Sequence, residues 1–128
     1  MKRLFVVSRI RGNAWDPNRP MNRQDQWSEH ATFMDELTTL RFIVLGGPLG
    51  DEGDNLLVVD AADETEIRST LGGDPWTQMG ILEIESIRRW TVLLQAGPER
   101  EPVQLRLLPS PPKQRARAVQ KVGNSKRG

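Results

Sequence analysis

No cysteine occurs among the 128 residues of this chain. That excludes disulfides, thiol nucleophiles, zinc knuckles and iron–sulfur ligation. There is one histidine, His30, so a metal centre built from several histidines of one chain is excluded, and no acidic loop signature marks an all-carboxylate Mg²⁺ or Ca²⁺ site. No apolar run approaches the roughly 18 residues of a membrane span. The apolar stretch after Lys2-Arg3 is only Leu4-Phe5-Val6-Val7, too short for the apolar region of a signal peptide, and the expected compartment is the cytoplasm. The chain also lacks a phosphate-loop lysine motif and a G-x-G-x-x-G turn, an internal repeat, and a serine that stands out as a nucleophile. What is missing points away from metal, cofactor and covalent chemistry, and toward a small acid–base or binding site.

What is present is one domain's worth of chain with an uneven charge. Residues 1–95 carry ten Lys/Arg and fifteen Asp/Glu, a net of −5, whereas residues 96–128 carry eight and two, a net of +6. The expected organisation is therefore an acidic globular domain over 1–95 and a Pro-rich basic extension over 96–128. The extension holds Lys113, Arg115, Arg117, Lys121, Lys126 and Arg127. Such a tail suits nucleic acid or an acidic partner electrostatically, but it has no interleaved aromatics for base stacking, and a solvated extension without a role accounts for it equally well.

Along the domain, Leu4 to Ile10 reads as a strand apolar on both faces, with Leu4, Val6, Ser8 and Ile10 on one side and Phe5, Val7 and Arg9 on the other. Arg11 to Arg23 is broken by Gly12, Pro17 and Pro20. Its Trp15 is expected to tuck over apolar surface, which is compatible with both a lid and a plain connector. A helix follows from Trp27 to about Arg41. At about 100° per residue, Ala31, Phe33, Met34, Leu37 and Leu40 span roughly half the circumference, with His30 near the middle of that arc. Phe42 to Leu45 reads as a buried strand ending at Gly46-Gly47-Pro48, and pairs in a hairpin with Leu56 to Val59. Asp63 or Glu64 opens a second helix closed by Gly72-Gly73. Asp74-Pro75-Trp76 starts a short helical turn, with Asp at the N-cap and Pro at the first helical position. From Gly80 the period is two, placing Leu82, Ile84 and Trp90 on one face with Ser86 and Arg88. A further short strand over residues 103–108 is compatible with the pattern.

The order β-α-β-β-α-β predicts an α+β, ferredoxin-like sandwich: a four-stranded antiparallel sheet with its helices on one face. The uncovered face needs a partner, and a second copy of the same sheet gives a homodimer.

These residues carry a likeness. The sequence resembles the YCII-related (YciI-like) family of the dimeric α+β barrel superfamily in Leu4-Phe5-Val6-Val7, in Glu29-His30-Ala31-Thr32-Phe33-Met34, in Gly46-Gly47-Pro48-Leu49, in Asp74-Pro75-Trp76 and in the last strand running into Trp90. The likeness covers residues 1 to about 95. The usual family form has Phe after the Asp-Pro pair, where this chain has Trp76. The resemblance implies a dimer through sheet faces and a small-molecule pocket holding the pair His30 and Asp74. Some relatives act on chlorinated or lactone-type ring-cleavage products.

On that basis His30 is expected to act as a general base with Asp74 as its orienter, in a cofactor-free elimination, isomerisation or lactone reaction. Each residue has a plainer reading too. A buried histidine held for structure, a helix cap at Asp74, a strand end at Gly46-Gly47-Pro48, and core or interface packing of Trp76 and Trp90 fit the same pattern. Ser8 is the candidate pocket hydroxyl, Gly47 and Pro48 a close backbone approach for ligand, and Trp76 and Trp90 an aromatic wall. At most one of Ser8 and Arg9 can face the site. The alternative function is a non-catalytic ligand-binding or regulatory protein using the same pocket.

Overall fold

The computed structural model describes residues 3–97. The chain divides into two units, Met1–Thr91 and Val92–Gly128. In the second unit, residues 92–97 have no regular structure. The strand expected over 103–108 and the basic tail lie outside the described residues.

In the first unit, strand β1 (Leu4–Arg11) is followed by a 3-10 turn (Met21–Arg23), helix α1 (Trp27–Thr39), strands β2 (Ile43–Leu49) and β3 (Asp54–Asp60), helices α2 (Glu64–Leu71) and α3 (Pro75–Met79), and strand β4 (Leu82–Trp90). The four strands form one antiparallel sheet in the order β2-β3-β1-β4. This is the ferredoxin-like arrangement, with the helices on one face.

Local chemistry accounts for the elements. The helix α2 is capped by Asp63, whose carboxylate accepts from the Glu66 N–H at 2.9 Å, while Glu66 reaches back to the Ala62 N–H at 2.7 Å. The first contact satisfies one of the donors a helix start leaves free, and the second ties the residue before the cap to the first turn. The short helix α3 takes Asp74 as N-cap and Pro75 at its first position, and closes on Gly80 at φ 79°, a left-handed conformation that suits glycine. The main core lies between sheet and helices: Phe5, Val7, Leu57 and Val59 from the strands meet Leu37 of α1 and Ile67 and Leu71 of α2. A second cluster of Trp76, Ile81 and Leu82, with Trp15 and Trp27 packed on it, sits around α3.

Three expectations fail for stated reasons. β2 is an edge strand, not a buried one: Val44, Leu45 and Leu49 are exposed, Leu45 to 63%, because only β3 flanks it and an irregularity at Val44 shifts the register between Ile43 and Leu45. The helix α1 stops at Thr39, and Leu40 becomes its exposed C-cap instead of completing the apolar arc. Along β4 the strict period of two breaks. Ser8 pairs with Ser86 but Arg9 pairs with Ile84, so Glu85 is an extra residue, a β-bulge. Downstream of it every side chain changes face relative to Leu82 and Ile84. Ile87 therefore packs on the helix side with Ile84, and Trp90, opposite Leu4, turns to the other.

Candidate functional site

The site is built where α1, α3 and β1 converge. On α1, the period that buries Leu37 also buries His30, which is 7% exposed. On α3, Asp74 is held at 0% exposure by its place as N-cap. The two meet: His30 Nδ1 lies 2.9 Å from both Asp74 Oδ1 and Asp74 Oδ2. Asp74 Oδ1 also accepts from the Trp76 backbone N–H at 2.9 Å, and Asp74 Oδ2 accepts from Arg9 Nη1 at 3.1 Å. Arg9, 2% exposed, enters from β1 on the same face as Phe5 and Val7.

The imidazole is fixed in plane as well as by its hydrogen bond. It stacks on the Trp76 indole with centroids 3.8 Å apart and planes 5° off parallel. Trp76 is in turn wedged by Trp27 at 5.7 Å and by Trp15, edge-on, at 6.0 Å. Its Nε1–H donates to the Asp25 carbonyl at 2.7 Å. The polar loop before α1 is therefore tied down. Gln24, buried, accepts from the Asp16 N–H and donates to the Asp16 and Arg19 carbonyls, each at 2.8 Å. Trp15 does tuck over apolar surface, with the Arg11 guanidinium 4.3 Å above its ring.

Electrostatics set the protonation of the pair. Burial alone would raise the pKa of Asp74, but hydrogen bonds from His30 and the Trp76 N–H, with the charges of His30 and Arg9, outweigh it and hold the carboxyl below the usual carboxylate range. Burial lowers the pKa of Arg9, and Asp74 offsets part of that. An ionised carboxylate only accepts hydrogen bonds. His30 Nδ1 must then carry the proton, and in the neutral ring Nε2 has the free lone pair. Nε2 has no hydrogen-bond partner among the described residues.

The sign of the pH dependence follows. Asp74 titrates at its ordinary value when unfolded and lower when folded. Its contribution to stability is complete above the ordinary carboxylate range and is lost as pH falls through the folded value. Urea midpoints are expected to fall on acidification below about pH 5, and to fall less steeply in Asp74→Asn.

Beside the imidazole is an open groove of about 460 Å³ between α1 and the edge of the sheet, lined by His30, Trp27, Met34 and Thr38 of the helix, Arg9 of β1, Met21 of the 3-10 turn, and Ile43, Leu45, Gly46, Gly47, Pro48, Asn55 and Leu57 of β2 and β3. Gly46 is there for space: a Cβ on it would come within 2.5 Å of the Leu57 side chain and 3.1 Å of the Leu56 carbonyl. Among the described residues no three His, Asp or Glu side chains gather as a metal site would need, and no helix is long and apolar enough to cross a membrane.

Of the residues singled out in the sequence, His30, Asp74, Gly47 and Pro48 come together here. Trp76 is part of the assembly, but it is 1% exposed and backs the imidazole instead of walling the groove. Ser8 and Trp90 are elsewhere. Ser8 projects from the other face of β1 and its hydroxyl donates to Glu85 at 2.9 Å. Trp90, 44% exposed, is carried to that same face by the Glu85 bulge. Of Ser8 and Arg9, only one of which could face the site, it is Arg9 that does. Its signal was its phase, two residues on from Val7 on the buried face.

The fold has a solved counterpart. The structure of 5-chloro-2-hydroxyhydroquinone dehydrochlorinase (TftG) from Burkholderia phenoliruptrix AC1100, in complex with 2,5-dihydroxybenzoquinone, is similar to this chain with a TM-score of 0.51 at 24% identity, over 69% of this chain and 93% of that one. No protein-family model matches the sequence, and no curated protein does. The likeness at this identity is one of fold, and it makes this chain a ferredoxin-like α+β protein of the same architecture as that dehydrochlorinase.

Proposed function

We propose that this protein is a YCII-like, cofactor-independent enzyme of the lyase or isomerase type, in which His30 takes a proton from a carbon acid and Asp74 orients the base. The observation that supports it most is the pairing of His30 Nδ1 with both Asp74 oxygens at 2.9 Å, on a ring that lines an open groove. In an elimination, Nε2 takes the C–H proton, the electron pair of that bond becomes a C=C bond, and the leaving group departs with the electrons of its own bond. The imidazolium so formed faces the Asp74 carboxylate and rests on the Trp76 indole, both favourable to positive charge. In an isomerisation the same proton returns to a different carbon. The shared architecture with a dehydrochlorinase is an analogy of fold and agrees with this reading without carrying it.

The test is a screen of enol-lactones and chlorinated muconate analogues, following double-bond shift by absorbance and halide release by electrode. Saturable turnover is the expected result. Saturable binding without turnover of any member would instead identify a ligand-binding or regulatory protein. That second reading has its own support, since Asp74 already caps a helix and pairs with Arg9.

The same proposal includes a homodimer through the sheet face away from the helices, and a cytoplasmic location. That face carries Leu4, Val6 and Ile10 of β1 and Trp90 of β4, apolar surface that a second sheet would cover. Light scattering is expected to give about twice the chain mass of 14.5 kDa. A value at the chain mass at micromolar concentration would dismiss the dimer.

A further inference from the structure

Arg9 is under-used for a buried cation. A guanidinium has five N–H donors. Here Nη1 bonds Asp74, Nη2 reaches only the Met34 thioether at 3.9 Å, and Nε has no partner among the described residues. Asp74 has little more to give, because its oxygens also serve His30 and the Trp76 N–H. A thioether is a weak acceptor. Buried polar groups that serve structure alone are as a rule fully bonded, and a buried charge that is not is costly. The wall of the groove deepens the imbalance. Arg9 is its one charged residue, no carboxylate lines it, and most of the remainder is apolar.

We propose that Arg9 is the anchor of the groove, and that the groove takes a small, largely apolar organic oxyanion, a carboxylate or an enolate, with one oxygen on Arg9 Nη2 in place of the Met34 thioether. The carbon skeleton then lies along Ile43, Leu45 and Pro48, and the carbon next to the anionic group faces His30. This deepens the acid–base reading by naming the class of substrate, and it rests on that reading for the role of His30. A negative oxygen on a buried guanidinium makes a charge-assisted bond, of the stronger kind. It would also hold a developing enolate in place while the proton moves.

The test compares two pairs of near-isosteric probes near neutral pH by titration calorimetry: benzoate against benzamide, and the dimedone enolate against its neutral methyl enol ether. The wild-type protein is expected to prefer at least one anion over its neutral counterpart by about tenfold or more, and the pair that shows the preference separates carboxylate from enolate. In Arg9→Met the preference is expected to fall to within about threefold. Should that variant not fold, Met34→Glu supplies an internal carboxylate for Nη2 and is expected to remove the preference with Arg9 in place. Absence of any preference in the wild type, or its survival in each folded variant of the two, would overturn the proposal. The two readings fail separately. Anion preference without turnover of any lactone or chlorinated substrate would leave Arg9 as the anchor and remove the enzyme. Turnover that depends on His30 without anion preference would do the reverse.

Discussion

Replacing Asp74 by alanine is expected to destabilise the protein by about 3–5 kcal/mol, a large part of the stability of a domain this size. The carboxylate is fully buried and serves three groups at once. Its loss leaves the α3 N-terminus uncapped, worth about 1 kcal/mol. It also leaves His30 Nδ1 without an acceptor and Arg9 as a buried cation with no counter-charge, which is the larger effect. Urea unfolding followed by tryptophan fluorescence measures it directly, since Trp76 adjoins the residue. The double variant Arg9→Met/Asp74→Ala isolates the charge. It is expected to be less destabilised than the two single changes added together, because the unpaired cation has gone. An additive result would mean that Arg9 and Asp74 do not depend on each other for stability.

Asp74→Asn separates capping from orientation. The amide oxygen can still accept from the Trp76 N–H, but its NH₂ then faces a donor on His30 or Arg9. The imidazole relieves the conflict by moving its proton to Nε2, which removes the free lone pair from the groove. Turnover is therefore expected to fall by at least about a hundredfold through the wrong tautomer alone.

The second large effect concerns His30. His30→Asn is expected to lower kcat by about 10² to 10⁴ while costing less than about 2 kcal/mol of stability. The contrast comes from the geometry. Asp74 keeps Arg9 and the helix cap when the imidazole is removed, and the neighbouring tryptophans still pack on one another. Turnover and urea midpoint measured on the same preparations give the split. Turnover that survives the substitution would take His30 out of the mechanism, and a collapse of stability would show its role to be structural.

Much of this site could be read in the sequence, and what could not has physical causes. The burial of His30 follows from its phase with Leu37 on α1, a property of spacing alone. The cap at Asp74 follows from Asp-Pro at a helix start, a local matter of donors and acceptors. The order of strands follows from runs and turns. What escaped were the consequences of register and pairing. Whether Ser8 or Arg9 faces the helices depends on which side of β1 they pack against, and both sides of that strand begin apolar. The displacement of Trp90 depends on one bulged residue, Glu85, that no periodicity announces and that reverses every face beyond it. The exposure of Val44 and Leu45 depends on β2 having a neighbour on one side only. Arg9 could not be paired with Asp74 in advance because 65 residues separate them, and only the fold brings a buried cation and a buried carboxylate into contact.

In the proposed mechanism Asp74 holds His30 with its proton on Nδ1 and leaves Nε2 as the base toward the groove. A chain with a single histidine allows that to be read without ambiguity. Label the imidazole with ¹⁵N and record its two nitrogens through their couplings to the ring protons, above the pH at which the ring is protonated. The expected result is a pyrrole-like, protonated Nδ1 and a pyridine-like Nε2, and the loss of that pattern in Asp74→Asn. A protonated Nε2 in the wild-type protein, or two averaged nitrogens as in a free imidazole, would contradict it.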